Sequence, residues 1–312
     1  MTKPPVLCIV GPTASGKTGL SLRIAKALGG EVISMDSMQI YRGMDIGTAK
    51  PSLTERAGIP HHLMDMIPPS QPYTVAQYAE DADQAIREVW GRGKLPMLVG
   101  GTGFYLKAFT HGLTLGGIRS DPVLRDKLKA IAAGEDGKRQ LHARLQLADP
   151  ETAARLHPND VQRVSRALEV WELTGRPISA QSETAYDPGY TFCMLGTTMA
   201  RDGLYRRINA RVQDMMRQGL LGEVRALLES GVPPTAQAMQ GIGYKELVPV
   251  LLHQADLTDA VASIQQNSRH YAKRQWTWFR AEPRIQWLDM ENADSFAQAL
   301  EIAKAFWKEA ET

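Results

Sequence analysis

The chain has 312 residues, of which 43% are hydrophobic and 22% charged, with a formal net charge of +2. This composition is globular and excludes a disordered or strongly basic protein. No run of 18 or more apolar residues and no signal peptide is present, so we expect a cytoplasmic protein without a membrane span. Cys8 and Cys193 lie inside apolar runs, which predicts two buried, reduced thiols rather than zinc ligands.

The chain opens with the pattern of a parallel sheet. Residues 6–10 are an apolar run typical of a buried strand, and a glycine-rich segment follows at 11–17. Apolar positions at helical spacing predict a helix over 18–28, which ends at a pair of glycines, and 31–34 is a second strand. A strand, loop, helix and strand in this order indicate an α/β fold.

The rest of the chain divides into a core and an insertion. Residues 50–73 are predicted to be a loop that includes His61 and His62, followed by a helix over 75–90 and strands at 96–99, 192–195 and 285–288. Between them, helices are predicted at 121–132, 138–147 and 160–174. We therefore expect a P-loop NTPase-like parallel-sheet core, residues 1–117 and 189–312, with an inserted all-helical domain at 118–188.

The glycine-rich segment matches the phosphate-binding pattern G-x-x-x-x-G-K-[ST] at every fixed position. Its backbone N–H groups and the following helix N-terminus favour an anion. Lys17 is expected to neutralise a phosphate, and the Thr18 hydroxyl to bind Mg²⁺. The predicted diphosphate-binding residues are Gly11, Pro12, Thr13, Ala14, Ser15, Gly16, Lys17 and Thr18.

A P-loop specifies a diphosphate or larger anion, but it does not specify ATP. The strand at 96–99 ends in glycines, without the carboxylate that P-loop NTPases place there. Asp36 instead follows the second strand, and since strand ends converge on the ligand crevice, Asp36 and Thr102 should both face the anion. Spacing alone leaves two roles equally open for Asp36, a Mg²⁺-shell carboxylate or helix cap, and a catalytic base.

Several motifs together resemble the bacterial tRNA dimethylallyltransferases, also called tRNA isopentenyltransferases. They are GPTASGKT at 11–18, DSMQIYRGMDIGTAKP at 36–51, PHHLMD at 60–65 and GGTGFY at 100–105. Further matches are RINAR at 207–211, GIGYKE at 241–246 and YAKRQWTWFR at 271–280, so the resemblance spans nearly the whole chain.

The resemblance implies transfer of a dimethylallyl group from dimethylallyl diphosphate to N6 of the adenosine immediately 3′ of the tRNA anticodon. Asp36 would accept the proton of the amine, an effect of roughly 10²- to 10⁴-fold. Arg211 would stabilise the leaving diphosphate, and Thr13 and Ser15 would touch its phosphates. Thr102 would contact the acceptor nucleotide or the donor beside Asp36.

A stacked adenine has to be extruded before its amine can reach a buried site. Met38, Gln39 and Tyr41 follow Asp36 and are placed either to read the base or to replace its stacking. For Met38 and Tyr41, packing beneath a loop is an equally good interpretation.

Residues 258–280 are predicted to form one long helix. Val261, Ile264, Tyr271 and Trp278 form an apolar stripe in this prediction, and Arg269, Lys273, Trp276 and Arg280 a second, basic and aromatic face. From the residues alone a solvated amphipathic helix is the better interpretation, whereas the resemblance favours an RNA-binding face.

By resemblance, the helical insertion grips the anticodon stem-loop, and the chain acts as a monomer without a required protein partner. The tRNA-binding residues so implied are Asp36, Ser37, Met38, Gln39, Thr102, Leu124, Asp160, Val161, Gln162, Arg163, Val164, Gly241, Ile242, Gly243, Tyr244, Lys245, Glu246, Arg269, Lys273 and Arg280.

Two other functions fit parts of the sequence. A nucleotide or small-molecule kinase would use the P-loop together with an arginine cluster of Arg206, Arg207 and Arg211. An RNA-dependent ATPase would use the P-loop and the basic helix without any covalent transfer. The missing carboxylate at the end of the strand at 96–99 and the basic, aromatic helix count against the kinase. For the ATPase, RNA should stimulate phosphate release and no modified base should appear.

Overall fold

A computed structural model describes residues 3–111, 121–180 and 187–311. Contacts within the chain divide it into a first unit, Met1–Thr110 with Asp187–Thr312, and a second unit, His111–Tyr186. The predicted insertion start at residue 118 lies outside the described residues.

The first unit is built on a parallel sheet. The described residues give six strands, in the spatial order β3-β2-β4-β1-β5-β6, and every described pairing is parallel. They are β1 Pro5–Val10, β2 Gly30–Met35, β3 His61–His62, β4 Leu95–Gly100, β5 Thr191–Thr198 and β6 Ile285–Asp289. The predicted α/β fold with a parallel sheet is confirmed.

Helices cover both faces of this sheet. They are α1 Lys17–Leu28, α2 Val75–Gly91, α3 Gly103–Thr110, α8 Arg201–Gln218, α9 Leu220–Glu229, α10 Tyr244–Leu251, α11 Leu257–Arg280 and α12 Ser295–Glu311. The numbering follows the chain, and the four helices between α3 and α8 belong to the second unit. Val6 and Cys8 pack into the core on one face of the sheet, and Leu7 and Ile9 into the core on the other. Burial on both faces explains why β1 is a continuous apolar run.

The prediction of a loop at His61 and His62 is wrong. The two histidines form the edge strand β3, which pairs with β2, and His62 Nε2 lies 2.7 Å from Glu31 Oε2. Arg92 donates to the same carboxylate oxygen at 2.7 Å. Within the described ranges, no group of three or more His, Cys, Asp or Glu side chains is arranged to hold a metal ion.

The second unit has helices α4 Pro122–Ala133, α5 Gly137–Ala148, α6 Pro150–Arg155 and α7 Val161–Thr174. Leu128, Leu141, Leu145 and Leu168 form its core. Asp121 and Asp160 cap α4 and α7 by accepting backbone N–H bonds, as side chains of this type do at helix N-termini. The short helix α6 was not predicted.

The structure also bears on the two cysteines and on the expectation about membrane spans. Cys8 and Cys193 are buried free thiols, as predicted, and burial raises the pKa of Cys193 to about 11. No helix in the described part of the chain combines the length and apolarity needed to cross a bilayer.

Candidate functional site

The phosphate loop joins β1 to α1. Gly11 and Gly16 have φ angles of 146° and 97°, which residues other than glycine rarely adopt. A Cβ at Gly11 would lie 2.5 Å from Thr197 Oγ1, so glycine also permits a close approach to β5. Ser15 is fully buried beneath the loop, where its hydroxyl donates to the Pro12 carbonyl at 2.8 Å. The Ser15 side chain is therefore a structural support and does not face the loop's anion side.

A cavity of about 370 Å³ opens on the outer side of this loop, and we call it the outer cavity. Its walls are Ala14, Gly16, Lys17, Thr18, Gly19, Leu20, Arg23, Arg207, Arg211, Met290 and Phe296. The charged side chains in this set are all cationic, and several neighbours are apolar. This arrangement suits an anion that carries a hydrocarbon group.

A second, smaller cavity of about 100 Å³, the inner cavity, lies at the carboxyl ends of the central strands. Its walls include Thr13, Lys17, Thr18, Asp36, Gln39, Thr48, Arg211, Tyr271 and Gln275. Lys17, Thr18 and Arg211 line both cavities. The predicted phosphate-binding residues and the predicted base therefore meet at one place in the fold.

Lys17 has an unusual electrostatic environment. Its ammonium group donates to the Pro12 carbonyl at 2.7 Å. Desolvation in the cleft, together with the positive charge of Arg211, lowers the pKa of Lys17 to about 7, although the Asp36 carboxylate acts in the opposite direction. A bound polyanion would raise this pKa again, so that above about pH 7 ligand binding would be accompanied by proton uptake at Lys17.

Asp36 follows β2 and faces the inner cavity. Its Oδ1 accepts the Met38 N–H at 2.9 Å, and desolvation raises the pKa of the carboxyl group despite Lys17 nearby. Thr102 is adjacent, because its Oγ1 accepts the Ser37 N–H at 3.2 Å. A carboxylate with a raised pKa in a cleft is suited to accept a proton.

The end of β4 has no room for a carboxylate. A Cβ at Gly100 would lie 2.0 Å from the Met35 carbonyl oxygen, and one at Gly101 would lie 2.2 Å from Gln275 Nε2. The backbone contact makes glycine necessary at position 100, whereas a side chain at position 101 would have to displace the Gln275 amide. The geometry therefore opposes the strand-end Mg²⁺ ligand of a P-loop NTPase.

Gln275 is a site residue that the sequence analysis missed. It is 5% exposed on α11, where its Oε1 accepts the Thr13 N–H and its Nε2 donates to the Gly101 carbonyl, both at 2.8 Å. This amide links the phosphate loop to the end of β4. Its signal in the sequence is a polar residue at helical spacing between the buried Ala272 and Phe279.

The surface of α11 differs from the prediction in part. Trp278 is 46% exposed and packs against Phe104, so it does not belong to the buried stripe. Lys273 and Arg280 are exposed, whereas Arg269 donates to Asn209 Oδ1 at 2.7 Å. The guanidinium of Arg280 lies 5.4 Å from the centre of the Trp276 ring. The exposed lysine and arginine side chains of this helix are therefore Lys273, Arg274 and Arg280.

Two other segments of the first unit were predicted to meet the nucleic acid. Tyr41 is fully buried, so its interpretation as a base-reading residue is wrong and packing beneath a loop is correct. In the segment 241–246, Tyr244 is 1% exposed and a Cβ at Gly241 would lie 2.5 Å from Met38 Cε. Lys245, with 44% of its side chain exposed, is the exposed member of this segment.

In the second unit, the predicted tRNA-binding residues divide by burial. Gln162 and Arg163 are exposed near the start of α7, and Arg163 pairs with Asp160. Val164 is fully buried in the core of this unit, and Leu124 and Val161 pack partly against that core. At the start of α7, the surface of the second unit is therefore polar, because Gln162 and Arg163 are the exposed residues there.

Two family models match the chain. The IPP transferase model matches residues 39–282, and the isopentenyl transferase model matches residues 4–65. The chain belongs to the IPP transferase family. Together the two matched segments contain every residue of the inner and outer cavities except Met290 and Phe296.

Related proteins extend this similarity over the full length. The tRNA dimethylallyltransferase of Pelotomaculum thermopropionicum is 48% identical over 97% of this chain and 96% of its own length. That of Bacillus subtilis is 48% identical over 93% of this chain and 92% of its own.

Solved structures agree with the sequence comparison. The full-length tRNA isopentenylpyrophosphate transferase of Bacillus halodurans superposes with a TM-score of 0.74 at 44% identity, covering 99% of this chain and 98% of its own. A eukaryotic dimethylallyltransferase acting on tRNA gives a TM-score of 0.79 at 31% identity, covering 96% of this chain and 78% of its own. The fold of this family member is thus the fold of these enzymes.

Proposed function

We propose that this chain transfers a dimethylallyl group from dimethylallyl diphosphate to N6 of the adenosine immediately 3′ of the anticodon in tRNA. One observation carries the proposal: Asp36 faces the same cavity as Lys17 and Arg211, in a chain 48% identical over 97% of its length to a tRNA dimethylallyltransferase. The bond from C1 of the allyl group to the diphosphate oxygen breaks, the bond from N6 to C1 forms, and diphosphate leaves.

The donor diphosphate binds where the two cavities share Lys17, Thr18 and Arg211. Negative charge grows on the leaving diphosphate, and the backbone N–H groups of the phosphate loop stabilise it together with Lys17 and Arg211. Mg²⁺ fits this place, because the Thr18 hydroxyl and diphosphate oxygens are ligands of the kind it prefers. When bound, the ion would neutralise part of the diphosphate charge.

The acceptor adenine enters the inner cavity, where Asp36 accepts the proton that N6 loses. Extrusion of the base costs a few kcal/mol, and contacts at the site have to offset it. Thr102, Ser37, Met38 and Gln39 lie beside Asp36 and are the residues we assign to the extruded nucleotide.

The rest of the RNA binds basic surfaces. On α11 these are Lys273, Arg274 and Arg280, and in the second unit Arg163 with the neutral Gln162 beside it, all exposed. Phosphate contacts of this kind position a nucleic acid, while unpaired bases are read in pockets. We propose that the helical unit holds the anticodon stem-loop and that the chain works as a monomer.

The deciding experiment is mass spectrometry of anticodon-loop nucleosides after tRNA is incubated with the protein, Mg²⁺ and dimethylallyl diphosphate. We expect an adenosine heavier by the five-carbon group, and none when the donor is omitted. Unmodified adenosine, with ATP consumed in the absence of RNA, would favour the kinase.

A further inference from the structure

A single carboxylate outside the two cavities organises part of their wall. Glu223, on α9, accepts the N–H groups of Asp45 and Ile46 at its Oε2, at 2.9 and 2.8 Å. Its Oε1 accepts the N–H of Gly47 at 3.1 Å and the hydroxyl of Tyr244 at 2.6 Å. Three successive backbone donors converge on one anion, which is the arrangement of a helix cap or an anion nest.

Tyr244 completes this cluster from α10. Its side chain is 1% exposed and lies against Gly47, where a Cβ would be 2.6 Å from two ring carbons and from the hydroxyl oxygen. Burial raises the pKa of Tyr244 well above its ordinary value, and the neighbouring Glu223 carboxylate raises it further. The hydroxyl therefore remains a donor to Glu223 at any physiological pH.

The backbone held in this way leads directly into the site. Thr48 and Pro51 line the inner cavity that Asp36 faces. The Thr48 carbonyl accepts the Gln39 side-chain amide at 3.3 Å, and Gln39 in turn accepts the Ser34 hydroxyl at 3.0 Å. Glu223 is thus connected, through the backbone of residues 45–48, to the Gln39 side chain, which lines the same cavity as Asp36.

We infer that Glu223 is a positioning residue for the acceptor side of the reaction. Its carboxylate, oriented by Tyr244, holds the backbone of residues 45–48 in place. Gln39 and the Thr48 backbone therefore keep a fixed position in the cavity wall that the extruded adenine contacts. The inference rests on the proposed function. It distinguishes the acceptor side of the site from the donor side, because Glu223 bonds to residues 45–47, which lead into the inner-cavity residues Thr48 and Pro51, and none of its hydrogen bonds among the described residues is to the phosphate loop.

The test replaces the carboxylate by its amide. In Glu223→Gln, one oxygen of the side chain becomes a donor that faces a backbone N–H, whichever way the amide is turned. We expect kcat for tRNA to fall by about tenfold or more, with the affinity for dimethylallyl diphosphate within about twofold of wild type. Tyr244→Phe, which removes only the hydroxyl, should lower kcat by about five- to tenfold. The matched control is Glu229→Gln, exposed on the same helix.

Amide hydrogen exchange on the same proteins supplies a readout independent of turnover. Backbone amides 45–47 should exchange at least about tenfold faster in Glu223→Gln, with no change at residues 11–18. The inference would be overturned by any of three results. These are unaltered exchange of amides 45–47, a kcat within about twofold of wild type in both variants, and a donor affinity that falls in parallel with kcat. If Glu223→Gln fails to fold, Tyr244→Phe decides. A wild-type protein that leaves tRNA unmodified refutes the proposed function, whereas the exchange data still report on Glu223.

Discussion

Replacing Asp36 by Asn removes the proposed proton acceptor while keeping the local backbone. The Asp36 Oδ1 accepts the Met38 N–H at 2.9 Å, and the oxygen of an Asn side chain can accept the same bond. The structural cost is limited to exchanging a charged acceptor for a neutral one, about 1 kcal/mol. Loss of general-base catalysis should lower kcat by roughly 10²- to 10⁴-fold, which corresponds to about 3 to 5 kcal/mol in the barrier.

The assay is a single-turnover measurement with saturating donor and tRNA across a range of pH. Because desolvation raises the pKa of Asp36, and a base works deprotonated, wild-type activity should fall as the pH drops through this raised value. The Asp36→Asn protein should lack that acidic limb and should bind tRNA as wild type does. Activity within about tenfold of wild type, or an unchanged acidic limb, would refute the role of Asp36 as the base.

Three further outcomes follow from the site. Since the pKa of Lys17 is lowered to about 7, binding of diphosphate above that pH should be accompanied by uptake of a proton, which calorimetry in buffers of different ionisation heat measures. Lys17→Ala should abolish the proton uptake and weaken diphosphate binding. Equal binding heats in all buffers would contradict this expectation. Gln275→Leu breaks one buried and one partly buried hydrogen bond. It should lower the free energy of unfolding in urea by about 2 kcal/mol and weaken donor binding, and unchanged unfolding would argue against the link. Charge reversal at Lys273 and Arg280 should weaken tRNA binding and reduce its salt slope by about 1 to 2, whereas an unaltered slope would place the RNA elsewhere.

The sheet and its phosphate loop were predictable because their signals are local. Strand β1 is buried on both faces and is therefore a continuous apolar run, and the glycines of the loop stand at fixed spacing beside it. The edge strand at His61 and His62 was missed, since it has two residues and exists only by pairing with β2.

The candidate site was predicted where one residue acts with its sequence neighbours, as Asp36 does. It was missed where the contacts are long-range. Gln275 bonds to Thr13 and Gly101, which precede it by 262 and 174 residues, and no periodicity in the sequence reports such a bridge. For the same reason the burial of Tyr41 was left undecided and the exposure of Trp278 was misjudged, because each depends on segments that fold against it from elsewhere.

The contact between Gly100 and the Met35 backbone restricts how this enzyme can change during evolution. An aspartate at position 100 would have to push two hydrogen-bonded strands apart, since its Cβ would meet a carbonyl oxygen at 2.0 Å. A descendant that acquired nucleotide hydrolysis would need a rebuilt sheet rather than one substitution. The tight fit at this glycine therefore acts as a barrier between two chemistries that share the same phosphate loop.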